Sequence, residues 1–512
     1  MMIKARSYFK KSLKRTVVLL TAVLFLSGLS SAAEDPLSLA KQQETRGWAL
    51  KLEKGGLKDS HLSFLKVVEY YRRFIGDNRL TIVDLETRRF TAFDARKRIV
   101  DIFRFGLKNK QQAKKELRGL LSMYKGLAGK YPVNKINARV ESKISQVKNE
   151  FNFNAYLAQI NGKEIFCLLE DDAAGSELII YDQLTPVARA KIEKIITIES
   201  ADKDKVALAR VYRINPAVKL SPCLYARTVG EPVAASARLS AMSGQCYDMG
   251  KKFFERLKFE EAEKYLNRAL KYDPDNVPAL NKLGLVYFSY GNIAGARRYY
   301  LMALEADPAY IEAYINLAGA YLSGSDFPVD TNNVFDMLEG AVAANRNYPR
   351  AYYWLGHLLD DFMFFKPAKE YYLQGQEKIA VLETDNWYKQ TSLAKKLSSP
   401  GQLIWDTANI CLSDKEPMLN SSVYAFDELL KMDPNDLSVK KRLKGILAVC
   451  PFARDGSIYK DVISHRNLGL KLQKENRLKE AIDEMRISLY LDQLVSSKFR
   501  RCISRVPRIK ID

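Results

Sequence analysis

The chain has 512 residues and carries 81 Lys and Arg against 60 Asp and Glu, a formal net charge of +21 at pH 7. This length is enough for two to four domains with buried cores. The positive charge favours anionic neighbours such as membrane headgroups, acidic glycans or an acidic protein, although solvated helix faces account for most of it. No RNP, zinc-finger or helix-turn-helix signature and no C-x-x-C pair occurs, so nucleic acid, structural zinc and a thiol redox centre are not expected.

The first residues have the order of a targeting segment. Six Lys and Arg between Lys4 and Arg15 precede the apolar run Thr16–Leu29, and small residues follow at Ser30–Ala33. This order is typical of a secretory signal peptide, whereas a permanent membrane helix needs about 20 apolar residues. We expect residues 1–33 to be cleaved and the mature protein to be periplasmic or secreted. An uncleaved N-terminal anchor is the alternative.

Residues 34–154 have the spacing of amphipathic helices. Apolar residues recur three and four positions apart, as in the stretch from Phe64 to Tyr71 and again from Leu117 to Tyr124. This period predicts α-helices with one buried face. We therefore expect an all-helical domain, and the sequence leaves open whether it is a diverged repeat array.

Residues 155–229 have the pattern of short strands. Asn161-Gly162 separates two apolar stretches and predicts a two-residue hairpin loop, since both residue types readily adopt positive φ. Five or six short strands in this range predict a small barrel. Residues 230–242 are expected to be a linker.

Six cysteines allow fifteen complete pairings that sequence cannot rank. Cys167 and Cys223 lie in the same predicted β domain and form the best candidate for a disulfide. Cys246, in the segment after the linker, is expected to be buried as a small hydrophobic side chain.

Downstream of the linker, a motif repeats at a constant interval. Gly250, Ala262 and Pro274 recur 34 positions later as Gly284, Ala296 and Pro308. The glycines and alanines allow two helices to approach closely, and each Asp-Pro pair ends a second helix. The pattern resembles the tetratricopeptide repeat, which implies a curved helical superhelix that binds other proteins. We expect repeats over 243–380, with an insertion at Ser323–Asn333, and degenerate or terminal TPR-like helices over 381–495.

The resemblance implies that first-helix side chains line a concave protein-binding groove. The candidates are Tyr247, Lys251, Phe254, Asn281, Leu285, Phe288, Asn316, Tyr353 and His357. Aromatic anchors with Asn and Lys suit an extended or helical peptide. The family's clamp for chaperone tails is not matched, because Tyr247, Lys251, Lys282, Glu312 and Asn316 stand at its positions.

Residues 496–512 form a basic tail. Its cations are Lys498, Arg500, Arg501, Arg505, Arg508 and Lys510, and its one acid is Asp512. Either the tail contacts an anionic envelope surface or it is a disordered solubilising segment.

The sequence favours a non-enzymatic adaptor of a bacterial cell envelope. Its three histidines lack metal-ligand spacing, and no nucleophile elbow, phosphate loop or dinucleotide fingerprint is present. We expect no cofactor, metal site or small-molecule substrate. One alternative is a cell-wall or glycan-associated factor that binds through the β domain. A third is an enzyme with an unrecognised site, for which Glu170-Asp171-Asp172 offers carboxylates.

Overall fold

The structure is a computed structural model. It describes residues 35–506 except 53–55, 79, 82, 87–88, 132–133, 171–172, 174, 183, 198–204, 217, 219, 231–236, 324–330, 380–403, 406, 410, 413–416 and 504. The predicted signal peptide, residues 231–236 of the predicted linker and the last residues of the basic tail lie outside these ranges.

The N-terminal part is helical. Its elements are α1 (Pro36–Lys51), α2 (Leu57–Asp77), α3 (Val83–Glu86), α4 (Ala92–Asp101), a π-helical turn (Ile102–Gly106), α5 (Lys110–Lys130) and α6 (Asn134–Glu150). Thr91 and Asp94 form a capping box that starts α4. Phe64, Val67 and Tyr71 of α2 are buried as their spacing predicted.

Six antiparallel strands follow and close into a barrel in the order β1-β2-β5-β4-β3-β6. They are β1 (Ala155–Asn161), β2 (Glu164–Leu169), β3 (Glu177–Asp182), β4 (Thr185–Thr197), β5 (Lys205–Ile214) and β6 (Tyr225–Val229). Alternate side chains fill the interior, among them Leu157, Ile165 and Leu178. Residues on the outer side of the wall, such as Tyr156 and Tyr181, pack in one core with the N-terminal helices. The helical part therefore covers one side of the barrel.

Two sequence predictions in the barrel need correction. The hairpin loop is Gly162-Lys163, one residue later than predicted, because Asn161 still pairs with Glu164; Gly162 has a φ of 66°. Cys167 and Cys223 are both free. The Cys167 side chain lies in the barrel interior, whereas Cys223 packs with the N-terminal helices outside the wall. Sharing a domain did not bring the two sulfurs together.

Buried polar contacts join the helices to the barrel. Arg98 donates to the Tyr156 hydroxyl at 3.0 Å, and the Tyr225 hydroxyl donates to Asp101 Oδ1 at 2.7 Å. Burial raises the pKa of Asp101 to about 6, against the opposing effect of Lys97 and, more weakly, of Arg98, the Tyr225 hydroxyl and Arg104. The joint thus contains a carboxyl group that takes up a proton more readily in the folded than in the unfolded chain.

Replacing Asp101 by asparagine is expected to change the pH dependence of stability. The raised pKa of Asp101 contributes stability that is fully present below its unfolded value and is lost as the pH rises through about 6. Between pH 4 and 7 the free energy of unfolding of the wild type should therefore fall by up to about 3 kcal/mol relative to that of the variant. Urea unfolding of both proteins across this range measures the difference, in which the other titrating groups cancel. A difference that stays constant with pH would contradict this assignment.

The next eight helices stack as four pairs. They are α7 (Ala237–Glu255), α8 (Phe259–Tyr272), α9 (Val277–Ser289), α10 (Ile293–Ala306), α11 (Ile311–Ser323), α12 (Thr331–Ala344), α13 (Pro349–Asp361) and α14 (Phe365–Ile379). A Cβ at Gly284 would lie 2.3 Å from the Tyr300 ring, and one at Gly356 would lie 2.5 Å from the Tyr372 ring. Close approach of the two helices of a pair is therefore the reason for these glycines.

A left-handed residue connects the two helices of a pair. It is Leu257 in the first unit and Gly291 in the second, which are separated by the same interval as the repeated glycines, and the later units have Met363 and Asn476 at the equivalent turn. Glycine adopts this conformation without strain, whereas leucine does not. The first unit consequently contains strain that the second avoids.

Exchanging these residues between the two turns should have opposite effects. Leu257, which is 53% exposed, loses little packing when replaced by glycine, and release of its backbone strain should raise the free energy of unfolding by up to about 1 kcal/mol. Gly291→Leu should lower it by about 1–2 kcal/mol. Urea unfolding of the single variants measures both. Destabilisation by Leu257→Gly would show that the turn is not strained.

The C-terminal helices are α15 (Leu419–Met432), α16 (Leu437–Val449), α17 (Lys460–Lys474), α18 (Leu478–Ser496) and α19 (Arg500–Ile503), with 3-10 turns at Pro451–Arg454 and Ser497–Phe499. Tyr490, Leu491 and Leu494 of α18 pack in the core formed by α3 to α6. On the same helix, Lys479 pairs with Asp336 of α12 at 2.5 Å. Helix α18 therefore joins the N-terminal helices to the repeats.

The barrel also contacts the repeats. Arg189 and Arg213 donate to the Ala306 carbonyl at 3.2 and 2.9 Å, which places two cations at the C-terminus of α10. The Tyr314 hydroxyl donates to the Pro186 carbonyl at 2.7 Å. These contacts fix the barrel against the junction of the second and third units.

The predicted fold class is confirmed: a helical-repeat superhelix follows an N-terminal helical part and a closed six-stranded barrel. Among the helices that the structure describes, none is long and apolar enough to cross a membrane.

Candidate functional site

The structure separates the nine predicted groove residues into accessible and buried ones. Lys251 is exposed, and Tyr247, Phe254, Phe288 and His357 are partly buried. Asn281, Leu285, Asn316 and Tyr353 are buried. Three of the five accessible residues, Tyr247, Lys251 and Phe254, belong to the first unit. Phe288 belongs to the second unit and His357 to the fourth.

The two predicted asparagines bind each other. Asn316 Nδ2 donates to Asn281 Oδ1 at 2.9 Å, and the two residues are 7% and 5% exposed. This pair connects α9 to α11. Neither amide is freely available to a partner's backbone, so their predicted role in the groove would require the pair to open.

Tyrosines and one carboxylate lie together beside this pair. The Tyr348 hydroxyl donates to Glu312 Oε1 at 3.2 Å. Burial and then Glu312 raise the pKa of Tyr310, which also interacts with Tyr247 and bonds Asn281. Burial, followed by Asp248 and Glu312, raises the pKa of Tyr247. We call Tyr247, Tyr310, Glu312 and Tyr348 the tyrosine cluster; it draws on the first, third and fourth units.

Lysines flank this cluster. Lys282 Nζ lies 5.0 Å from the centre of the Phe254 ring, within the range of a cation–π contact. Lys251, four residues after Tyr247 on α7, is exposed. The surface thus offers aromatic faces, phenol hydroxyls, one carboxylate and two ammonium groups.

Sequence reasoning missed Tyr310 and Tyr348 as site residues. Each stands immediately before a first helix, at the position held by Asn276 in the second unit. Tyr310 follows Asn276 at the regular repeat interval, whereas Tyr348 is displaced by the insertion that follows α11. Reading the residue before each first helix as part of the repeat would have identified both.

The structure gives other roles to the residues named for a possible enzyme. His357 Nδ1 lies 3.2 Å from Asp361 Oδ2, one turn further along α13, and its ring is near Trp354. Glu170 accepts from Arg104 at 2.6 Å and lies 3.4 Å from Lys110. Asp171 and Asp172 lie outside the described residues. Within the described part, no group of three or more His, Cys, Asp or Glu could hold a metal.

Stacked helix pairs with glycine contacts define a helical-repeat scaffold, a class that binds other proteins. Residues 247–311 match the family model described as tetratricopeptide repeat. These residues are therefore tetratricopeptide repeats. This match covers the first two units and the start of the third, where the repeat interval is regular.

Other comparisons cover parts of the chain. A UDP-N-acetylglucosamine--peptide N-acetylglucosaminyltransferase of Caenorhabditis elegans is 34% identical over 68 residues, which are 13% of this chain and 6% of that protein. The structure of TTC0263, a thermophilic TPR protein of Thermus thermophilus, is 18% identical and covers 40% of this chain and 97% of its own, with a TM-score of 0.25. YrrB, described as a TPR protein with an unusual peptide-binding site, is 15% identical over 41% of this chain and 100% of its own, with a TM-score of 0.26.

Proposed function

We propose that this protein is a non-enzymatic adaptor of the bacterial cell envelope that binds an extended segment of a partner protein on the concave face of its repeats. The tyrosine cluster is the observation that supports this proposal most. It brings side chains from three units onto one surface beside accessible Phe254 and Lys251.

The chemistry of this surface suits a peptide. Aromatic rings bury apolar side chains at low entropic cost, and phenol hydroxyls can donate to or accept from a peptide backbone. Glu312 provides a partner for a basic side chain, while Lys251 and Lys282 provide partners for acidic ones. A peptide of mixed charge with aromatic or aliphatic anchors fits these groups best.

A photo-crosslinking residue at Lys251 tests the proposal in living cells. The matched control is the same residue at Lys264, which is also exposed but lies on the second helix α8. We expect one protein to be captured from position 251 and not from position 264, and the capture to be lost in Tyr247→Ala. Equal capture at both positions, or none from a correctly exported protein, would contradict binding at this face.

The envelope location depends on the basic and apolar segment 1–33. We expect a mature protein that begins close to Glu34 and is found outside the cytoplasm. N-terminal sequencing and cell fractionation test both points. A cytoplasmic protein that retains Met1 would rule out this location while leaving the peptide-binding proposal intact.

The similarity to a glycosyltransferase does not alter this proposal. The chain spans 6% of the length of that enzyme, which is too little for the enzyme's activity to be carried over. Binding rather than transfer is therefore the activity that we propose.

A further inference from the structure

Helix α16 has the position of a first helix in a repeat unit. It begins three residues after Asp433-Pro434, as α9 begins three residues after Asp273-Pro274 and α11 three residues after Asp307-Pro308. In the second unit, α9 starts at position 277 and α10 at position 293. The same interval from the start of α16 leads into the 3-10 turn Pro451–Arg454. This unit therefore has a first helix but no second helix at the expected place.

The exposed face of α16 is the face that a second helix would cover. In α9, the residues at the fourth, eighth and eleventh positions are Leu280, Gly284 and Tyr287, and Gly284 contacts Tyr300 of α10. The equivalent residues of α16 are Lys440, Lys444 and Leu447.

The opposite face of α16 packs against the preceding helix, as the same face of a first helix does in the regular units. Val439, Leu443 and Ile446 stand at the positions of Ala279, Leu283 and Val286, and they share a core with residues of the preceding helix α15. Helix α16 is thus packed on the side of the preceding unit, and among the residues that the structure describes its other side has no second helix of its own unit against it.

An open cavity lies where the side of α16 that carries Lys440, Lys444 and Leu447 meets α15. It has a volume of about 470 Å³ and is lined by Leu430, Lys440, Leu443, Lys444, Leu447 and Ala448. We call this the α16 groove. In the adjoining chain, Met432 is 54% and Leu437 is 78% exposed. The floor is apolar, and α16 carries Lys and Arg but no acid.

The helix beside the groove is firmly fixed. The N-terminus of α15 donates to Asp492 of α18 through the amides of Asn420 and Ser421, at 3.3 and 2.6 Å. Asp492 is fully buried, and it accepts a further bond from Ser496 at 2.7 Å. A carboxylate at a helix N-terminus stabilises that helix. Helix α15, which contributes Leu430 to the groove, is therefore held in place by α18.

We propose that the α16 groove binds an amphipathic helix of a partner protein, which packs where the second helix of this unit is missing. Because the floor is apolar, the helix that binds there must carry an apolar stripe along one side. The lysines at positions otherwise held by Leu280 and Gly284 require carboxylates beside that stripe, because a buried lysine needs an acidic partner. This site is separate from the concave face and requires a different ligand, an acidic helix.

A synthetic second helix is the probe. The peptide has the sequence of residues 259–272, the second helix of the first unit, whose buried side is Ala262, Leu266 and Ala269. A lactam bridge between Glu260 and Lys264, one turn apart on the opposite side, holds it helical. Glu261 and Glu263 remain free beside the apolar side, and we call this the acidic peptide for these two glutamates, although Arg268 and Lys271 balance their charge. A control peptide carries glutamine at both. Fluorescence anisotropy measures binding to the full chain.

We expect saturable binding of the acidic peptide and about tenfold or greater weakening with the glutamine peptide. Lys440→Glu with Lys444→Glu should weaken binding of the acidic peptide by a similar factor. Leu447→Ala should weaken binding of both peptides. Lys114→Glu with Lys115→Glu makes the same charge change on α5 and should have no effect. Because the four lysines are exposed, these variants should fold.

Three results would overturn the proposal. The first is no saturable binding of the acidic peptide, and the second is binding that survives the double substitution at Lys440 and Lys444. The third is a dimer of the full chain in sedimentation equilibrium that this double substitution dissociates, since the occupant would then be a second copy. Loss of crosslinking at Lys251 would not affect the α16 groove, so the two proposals fail independently.

Discussion

Replacing Arg104 by methionine is expected to lower the free energy of unfolding by about 3–5 kcal/mol. The side chain is 4% exposed, and its Nε donates to Glu170 Oε1 at 2.6 Å. It also donates to the Phe153 carbonyl, and its guanidinium lies 4.6 Å from the centre of the Phe105 ring. Methionine would fill part of the volume, but the Phe153 carbonyl would lose this donor and the partly buried Glu170 carboxylate would keep the longer contact with Lys110. Urea unfolding of the full chain measures the loss.

Arg210 provides the matched control for this prediction. It also forms two ion pairs, with Glu193 and Glu164, but its side chain is 55% exposed. Solvent screens such pairs, so Arg210→Met should cost only a small fraction of the loss caused by Arg104→Met. Adding Glu170→Gln to Arg104→Met should recover part of the loss. Similar effects of the two arginine substitutions would show that the joint between helices and barrel does not depend on Arg104.

Replacing Gly284 by valine is expected to destabilise the repeats by about 3 kcal/mol. Already the first carbon of the new side chain would lie 2.3 Å from the Tyr300 ring, and that ring is fully buried. Neither α9 nor α10 can move away without breaking its packing on the neighbouring units. Circular dichroism during urea unfolding reports the loss.

The same substitution at Gly244 is the control. Gly244 lies within the first helix α7, and a Cβ there would have nothing within 4 Å. Valine and glycine are both weak helix formers, so Gly244→Val should change stability by about 0.5 kcal/mol or less. In Gly284→Val, shortening Tyr300 to alanine should give a double variant more stable than the sum of the two single effects. Equal effects at the two glycines would contradict the close-packing explanation.

The repeats could be predicted because their determinants are local. A glycine, an alanine and an Asp-Pro pair at fixed spacing specify where two helices approach and where the second one ends. Gly162 likewise marked the hairpin, although strand pairing moved the loop by one residue. In each case the relevant contact lies within one helix pair or one hairpin.

The site was less predictable because its properties depend on neighbouring units. Asn281 stands at a groove position, yet Asn316 from the next unit binds its side-chain oxygen. The separation of Cys167 from Cys223 depends on which side of a closed wall each occupies. Asp433-Pro434 has the form of the pairs that end a second helix, but only the structure shows that a 3-10 turn stands where the following unit would have its second helix.

Hydrogen exchange of the full chain, with and without the partner captured at Lys251, tests the central claim most directly. We predict that the partner protects the helices that carry the concave surface, α7, α11 and α13, around the tyrosine cluster. Protection confined to the barrel strands β1 to β6, with the concave helices unchanged, would contradict the account and favour binding through the β domain.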